Sequence, residues 1–87
     1  SPNYPNPFNP STKIDIETSE GNDLIVSVFD ATGRLVNNLI NEYLDAGRYV
    51  VRWNGNDASG QSMATGVYFV QVRSGKEMNT QKMILIK

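Results

Sequence analysis

The chain has 87 residues, 39% hydrophobic and 20% charged, with a net charge of −1. That length holds one domain, and the composition is globular rather than disordered. There is no basic excess for a nucleic-acid surface, no cysteine for a disulfide or thiolate metal site, and no histidine, the commonest general base and metal ligand.

The first ten residues carry all four prolines, Pro2, Pro5, Pro7 and Pro10. Proline fixes φ and pushes its predecessor toward extended geometry. Residues 1–12 therefore read as an extended lead-in, with Tyr4 and Phe8 folding back over one end of a domain that spans 13–87. The chain opens at Ser1 without a methionine and reads as a piece of a longer polypeptide, with any export signal upstream. The longest purely apolar run is Met83-Ile84-Leu85-Ile86, far short of the roughly 18 residues that cross a bilayer, so no transmembrane segment is expected.

From there the chain alternates with period two. Ile14 and Ile16 oppose Lys13, Asp15 and Glu17. Leu24, Val26 and Val28 alternate with Ile25, Ser27 and Phe29. Tyr49, Val51 and Trp53 alternate with Arg48, Val50 and Arg52, and Tyr68, Val70 and Val72 with Phe69, Gln71 and Arg73. This is strand periodicity, in residues that pleated surfaces favour. Leu35, Val36, Leu39 and Ile40 have near-helical spacing, but strand runs flank them closely and a bulged strand is the better reading. Turns are expected at Glu20–Asp23, closing a first strand pair, and at Ala31–Arg34, where Gly33 takes positive φ. Further turns are expected at Asp45–Gly47 and at the Ser74-Gly75-Lys76 hairpin. About seven short strands at this spacing predict an all-β, immunoglobulin-like antiparallel sandwich of two sheets. Val26, Val28, Val51, Trp53, Tyr68 and Val70 form its predicted core.

Residues 54–66 make the one long connection. Asn54, Asn56, Asp57 and Ser59 offer oxygens to a calcium ion, but Asp57 is the only carboxylate there, and hard cations usually take several. A self-bonded structural loop is the preferred reading. Serine and cysteine nucleophile systems that rely on histidine are excluded. A glycosidase needs two carboxylates about 5–10 Å apart across a cleft. Asp15 and Glu17 instead share a solvated strand face. The glycines are dispersed among turns, so no phosphate loop occurs. No catalytic activity and no cofactor are expected. Phe29 and Phe69, on an outer face, are candidates for a sugar-stacking platform or a partner contact.

Four segments in order carry a resemblance. They are Tyr4-Pro5-Asn6-Pro7-Phe8-Asn9-Pro10-Ser11-Thr12; Phe29-Asp30-Ala31-Thr32-Gly33-Arg34-Leu35-Val36; Gly47 through Trp53-Asn54-Gly55-Asn56-Asp57 to Gly60; and Gly66-Val67-Tyr68-Phe69-Val70 followed by Lys82-Met83-Ile84-Leu85-Ile86-Lys87. Together they resemble the C-terminal sorting domain of type IX secretion cargo and the related immunoglobulin-like domain of flagellar hook-capping proteins. Asn54 departs from that pattern, which commonly has Asp there. The resemblance implies a seven-stranded sandwich at the C-terminus of a secreted multidomain bacterial protein, in many cases a hydrolase. It implies location at the cell surface, on the extracellular face of the outer membrane. The implied partners are outer-membrane translocon components and an upstream catalytic domain of the same chain. The alternative is a carbohydrate-binding or structural accessory module, as in hook assembly. By position, the resemblance places recognition on Pro5, Asn6, Pro7, Gly66, Tyr68, Lys82 and Lys87.

The last strand adds a physical argument. With Met83 and Leu85 facing the core, Ile84 and Ile86 face outward between Lys82 and Lys87. Each such side chain gains about 1.5–3 kcal/mol if fully buried. A partner covering that face, or pairing with the strand edge, would satisfy both side chains and backbone.

Overall fold

Six strands follow from the alternating runs in the computed structural model, which describes residues 12–86: β1 Thr12–Thr18, β2 Asn22–Asp30, β3 Leu35–Leu44, β4 Gly47–Trp53, β5 Gly66–Ser74 and β6 Glu77–Leu85. All pairings between them are antiparallel. A two-stranded sheet, β1-β4, stacks on a four-stranded sheet of order β3-β2-β5-β6. The expected sandwich is therefore present, with six strands rather than about seven among the described residues. The predicted lead-in, with Pro5, Asn6, Pro7, Tyr4 and Phe8, lies outside them, as does Lys87.

The apolar half of each alternation forms the core. Ile14 and Ile16 of β1 join Val51 and Trp53 of β4 on one side. Leu24, Val26, Val28, Val36, Tyr68, Val70, Met83 and Leu85 face them from the larger sheet. Trp53 is 2% exposed and meets Tyr68 across the sandwich, ring centroids 5.0 Å apart and planes inclined by 65°. Edge-to-face contacts of this kind add about 0.5–1.5 kcal/mol beyond burial. All six predicted core residues are buried.

One local reading changes, and the bulged-strand reading of Leu35 to Ile40 holds. The turn at Glu20–Asp23 does not close a strand pair. β1 pairs with β4, and the chain crosses from one sheet to the other before β2. The crossing sets the apolar face of β1 against that of β2 across the core. The near-helical spacing in β3 has its explanation in two register shifts against β2. Adjacent Val26 and Ser27 pair with Ile40 and Asn38, and adjacent Val28 and Phe29 pair with Asn37 and Leu35. Leu39 and Val36 are thus the extra, bulged residues, and Val36 uses the kink to reach the core. Ser27, the buried polar residue at the first shift, donates its hydroxyl to Asn38 Oδ1 at 2.8 Å.

Candidate recognition surface

The loops at one end of the sandwich are built from a repeated device. In Asp30-Ala31-Thr32-Gly33-Arg34, Asp30 Oδ1 accepts from the Thr32 amide at 2.9 Å, the Thr32 hydroxyl at 2.7 Å and the Arg34 amide at 3.0 Å. In Asp57-Ala58-Ser59-Gly60-Gln61, Asp57 Oδ1 accepts from the Ser59 amide at 2.9 Å, the Ser59 hydroxyl at 2.8 Å and the Gln61 amide at 2.9 Å. Gly33 and Gly60 sit at φ of 90° and 89°, where a side chain would be strained. Hydrogen bonds to the ionised form hold both carboxyls below their ordinary value of 3.8. The hydroxyls of Thr32 and Ser59 contribute most, followed by the backbone amides of Arg34 and Gln61.

The second turn is docked onto β3 of the larger sheet. The Ala58 amide donates to the Val36 carbonyl at 3.1 Å. The Asn56 carbonyl accepts from the Trp53 indole at 2.8 Å and from Asn37 Nδ2 at 3.1 Å. The 54–66 connection is therefore a self-bonded structural loop. Asp57, the one carboxylate of the proposed calcium set, has the same oxygen engaged by three internal donors. A second repeat opens two strands. In Gly47-Arg48-Tyr49 and Gly66-Val67-Tyr68, the tyrosine hydroxyl reaches back four residues to a carbonyl: Tyr49 to Asp45 at 2.5 Å and Tyr68 to Ala64 at 2.6 Å.

The opposite face of the larger sheet is different in character. Register places Phe29 of β2 opposite Phe69 of β5, Lys82 of β6 opposite Phe69, and Leu35 of β3 opposite Phe29. Val67 pairs with Ile84 in the next row. Phe29 and Phe69 are half-buried, while Leu35, Val67, Ile84 and Ile86 are exposed. Alternation explains the split: Met83 and Leu85 turn inward at 8% and 6% exposure, leaving Ile84 and Ile86 outward at 63% and 67%. β6 pairs only with β5 among the described residues, so its other backbone edge is open.

The profile of the FlgD Ig-like domain family matches residues 3–77 of this chain, well over half of it. The chain belongs to the FlgD Ig-like domain family. Its fold is similar to that of FlgD from Xanthomonas campestris, described for its role in hook capping essential for flagellar assembly, with a TM-score of 0.67 and 25% identity over 87% of this chain. FlgD from P. aeruginosa is similar at a TM-score of 0.61 and 26% identity over 86% of this chain. Dimeric latent PorU from Porphyromonas gingivalis shares the fold, with a TM-score of 0.66 and 23% identity over 95% of this chain and 9% of that one. The chain spans 56% and 60% of the two FlgD chains it matches. No curated protein matches it.

Within this FlgD Ig-like domain, the residues expected to act in recognition do not form one site. Lys82 and Ile84 share the outer side of β6, and Ile86 is exposed just beyond its end. Gly66 opens β5 opposite Leu85, and a Cβ added there would meet nothing within 4 Å. Tyr68 is 5% exposed with its hydroxyl committed to Ala64, so it builds the fold and offers little surface. Pro5, Asn6, Pro7 and Lys87 lie outside the described residues. Sequence reasoning missed the two repeats, although Asp-Ala-Thr-Gly against Asp-Ala-Ser-Gly and Gly-x-Tyr against Gly-x-Tyr stand in the sequence. It also missed Leu35 and Val67, whose place beside Phe29 and Ile84 depends on strand order.

Proposed function

We propose that this domain is a non-catalytic assembly module that holds its parent protein in an extracytoplasmic structure, docking through the outer face of β5 and β6. The supporting observation is the continuous apolar row of Val67, Ile84 and Ile86 beside Phe69, with Lys82 at its margin, on an edge strand. Exposed apolar patches rimmed by charge are typical contact surfaces. Membership in the FlgD Ig-like family supports the assembly role, in the manner of a hook cap.

A second reading specifies that role as type IX sorting, with outer-membrane translocon components as the partner and cell-surface attachment as the outcome. It is favoured by the outward isoleucines of β6, bracketed by Lys82 and Lys87, and by the ordered motifs from Pro5 to Lys87. Two grafts separate the readings. Fused behind a reporter in a type IX-competent bacterium, the domain directs surface display only if it is a sorting signal. Exchanged for the Ig-like domain of a hook-capping protein, it supports hook growth only if it serves that assembly. In whichever host functions, Ile84→Thr with Ile86→Thr should abolish the effect while the isolated domain still melts normally. Full function with both isoleucines replaced would remove the outer face of β6 from the account.

A further inference from the structure

A cleft of about 580 Å³ opens on the other side of the molecule, between β1 and the inner face of β5 and β6. It exists because the two-stranded sheet is too narrow to cover the four-stranded one. β6 records this in its sequence. Its inward positions are apolar at Met83 and Leu85, where the small sheet covers them, and polar and exposed at Gln81, Asn79 and Glu77, where it does not. The floor combines Val70 and Val72 with the amides of Asn79 and Gln81. One wall is β1 itself, with Ile14 and Ile16 at its base.

Three features of this cleft point to an extended peptide. First, β1 pairs only with β4 among the described residues. In an antiparallel pair every second residue directs its N–H and C=O away from the partner, so among the described residues β1 presents an unpaired row along its seven residues, about 23 Å at 3.3 Å each. Second, the floor sets an apolar row on β5, half-buried Val72 beside buried Val70, against an amide row on β6, Asn79 and Gln81, so it offers both apolar and polar contacts to an added strand. Third, the rim is acidic: Asp15, Glu17, Glu20 and Glu77 line it, against Lys76 alone. Glu17 meets Arg48 at 3.2 Å. Among the described residues Asp15, Glu20 and Glu77 have no cationic partner.

We infer that this cleft binds an extended, basic polypeptide segment of a partner protein, which adds as a third strand to the two-stranded sheet alongside β1. Backbone pairing supplies the docking, and alternate lysine or arginine side chains meet the acidic rim. The inference does not depend on which larger assembly the domain serves, since the cleft and the outer face of β6 lie on opposite sides of the larger sheet.

The test uses the full 87-residue chain and two capped seven-residue peptides, one alternating lysine with valine and one alternating glutamate with valine. Amide hydrogen exchange of the free protein should show fast exchange at alternate positions of Thr12–Thr18. The lysine peptide should slow those amides and shift the side-chain amide resonances of Asn79 and Gln81, whereas the glutamate peptide should do neither. Binding should weaken as salt rises. Glu20→Lys with Glu77→Lys should weaken it about tenfold. Both residues are exposed, and an unchanged melting temperature verifies that the variant is folded. Equal binding of the two peptides, or shifts confined to the outer face of β6, would overturn the proposal. So would full protection of every β1 amide in the free protein, because the edge would then already be paired within the chain. Self-association that protects the same amides would assign the cleft to a second copy and equally overturn it.

Discussion

Trp53 links the two sheets and the long connection. Its ring fills the space between the sheets, meets Tyr68 edge-on, and ties the long connection down through the Asn56 carbonyl. Trp53→Ala should cost about 3–5 kcal/mol, most of what so small a domain has, and a chemical denaturation curve will show it. Tyr68→Phe removes only the bond to Ala64 and should cost about 0.5–1.5 kcal/mol. The two glycine classes should separate just as clearly. Gly33→Ala and Gly60→Ala force a side chain to positive φ and should each lose about 1–2 kcal/mol. Gly66→Ala meets open space and should leave the melting temperature unchanged, so any functional loss at Gly66 reports on a partner rather than on the fold. Asp30 and Asp57 contribute to the acid response. Both carboxyls titrate lower in the folded chain than in the unfolded one, so their contribution is complete above the unfolded value, near pH 4. It fades as pH falls through the lower folded values. Asp30→Asn with Asp57→Asn should lower the melting temperature at pH 7, and that deficit should shrink below pH 4. A deficit that is constant with pH would mean that ionisation plays no part.

The elements explain where sequence reading works and where it stops. β2, β4 and β5 alternate cleanly because each has one face on the core, and Val26, Val51 and Val70 could be placed inward from spacing alone. β3 departs from alternation because two bulges reverse it between Leu35 and Ile40, so the bulged strand could be read from its flanking strand runs but the bulge positions could not. A bulge is a relation between two strands and leaves no periodic mark in one. The inward and outward halves of β6 near its end were legible for the same reason as β2: Met83 and Leu85 turn in, Ile84 and Ile86 out. Pairing partners were not legible. Nothing local in Glu20–Asp23 distinguishes a hairpin from a crossing between sheets. The candidate surface is therefore half readable, its β6 residues from alternation and its Leu35 and Val67 only from register. The twin Asp turns carry a prediction at this scale. Exchanging Ala31–Arg34 with Ala58–Gln61 should preserve both turns, because the accepting oxygen, the hydroxyl at the second following position and the positive-φ glycine recur in each. The two exchanged segments should retain slow exchange at the Asp30 and Asp57 amides, which bond the carbonyls at the fourth following position.

At the scale of the whole molecule, the sheets are unequal among the described residues, and both proposed contact surfaces rest on that inequality. Two strands cannot cover four, so one side is left as an acidic cleft along β1. On the reverse of the larger sheet, a chain segment with apolar residues on both faces leaves Ile84 and Ile86 bare. Among the described residues both surfaces lie against open strand edges, which natural domains rarely leave without a charge, a cover or a partner. The antiparallel two-sheet sandwich and its core were readable from alternation and turn chemistry, though with six strands rather than about seven among the described residues. The width of each sheet, and hence the cleft, was not, because it depends on which strands pair. The central claim is that the outer face of β6 holds the parent protein in its assembly without holding the domain together. The most direct measurement is the fraction of parent protein sedimenting with its extracytoplasmic structure, compared between the natural chain and Ile84→Thr with Ile86→Thr. The account predicts release of most of the variant into the soluble fraction, with the melting temperature of the domain within a few degrees of the natural one. Retention of the variant at the natural level, with both isoleucines gone, would contradict it.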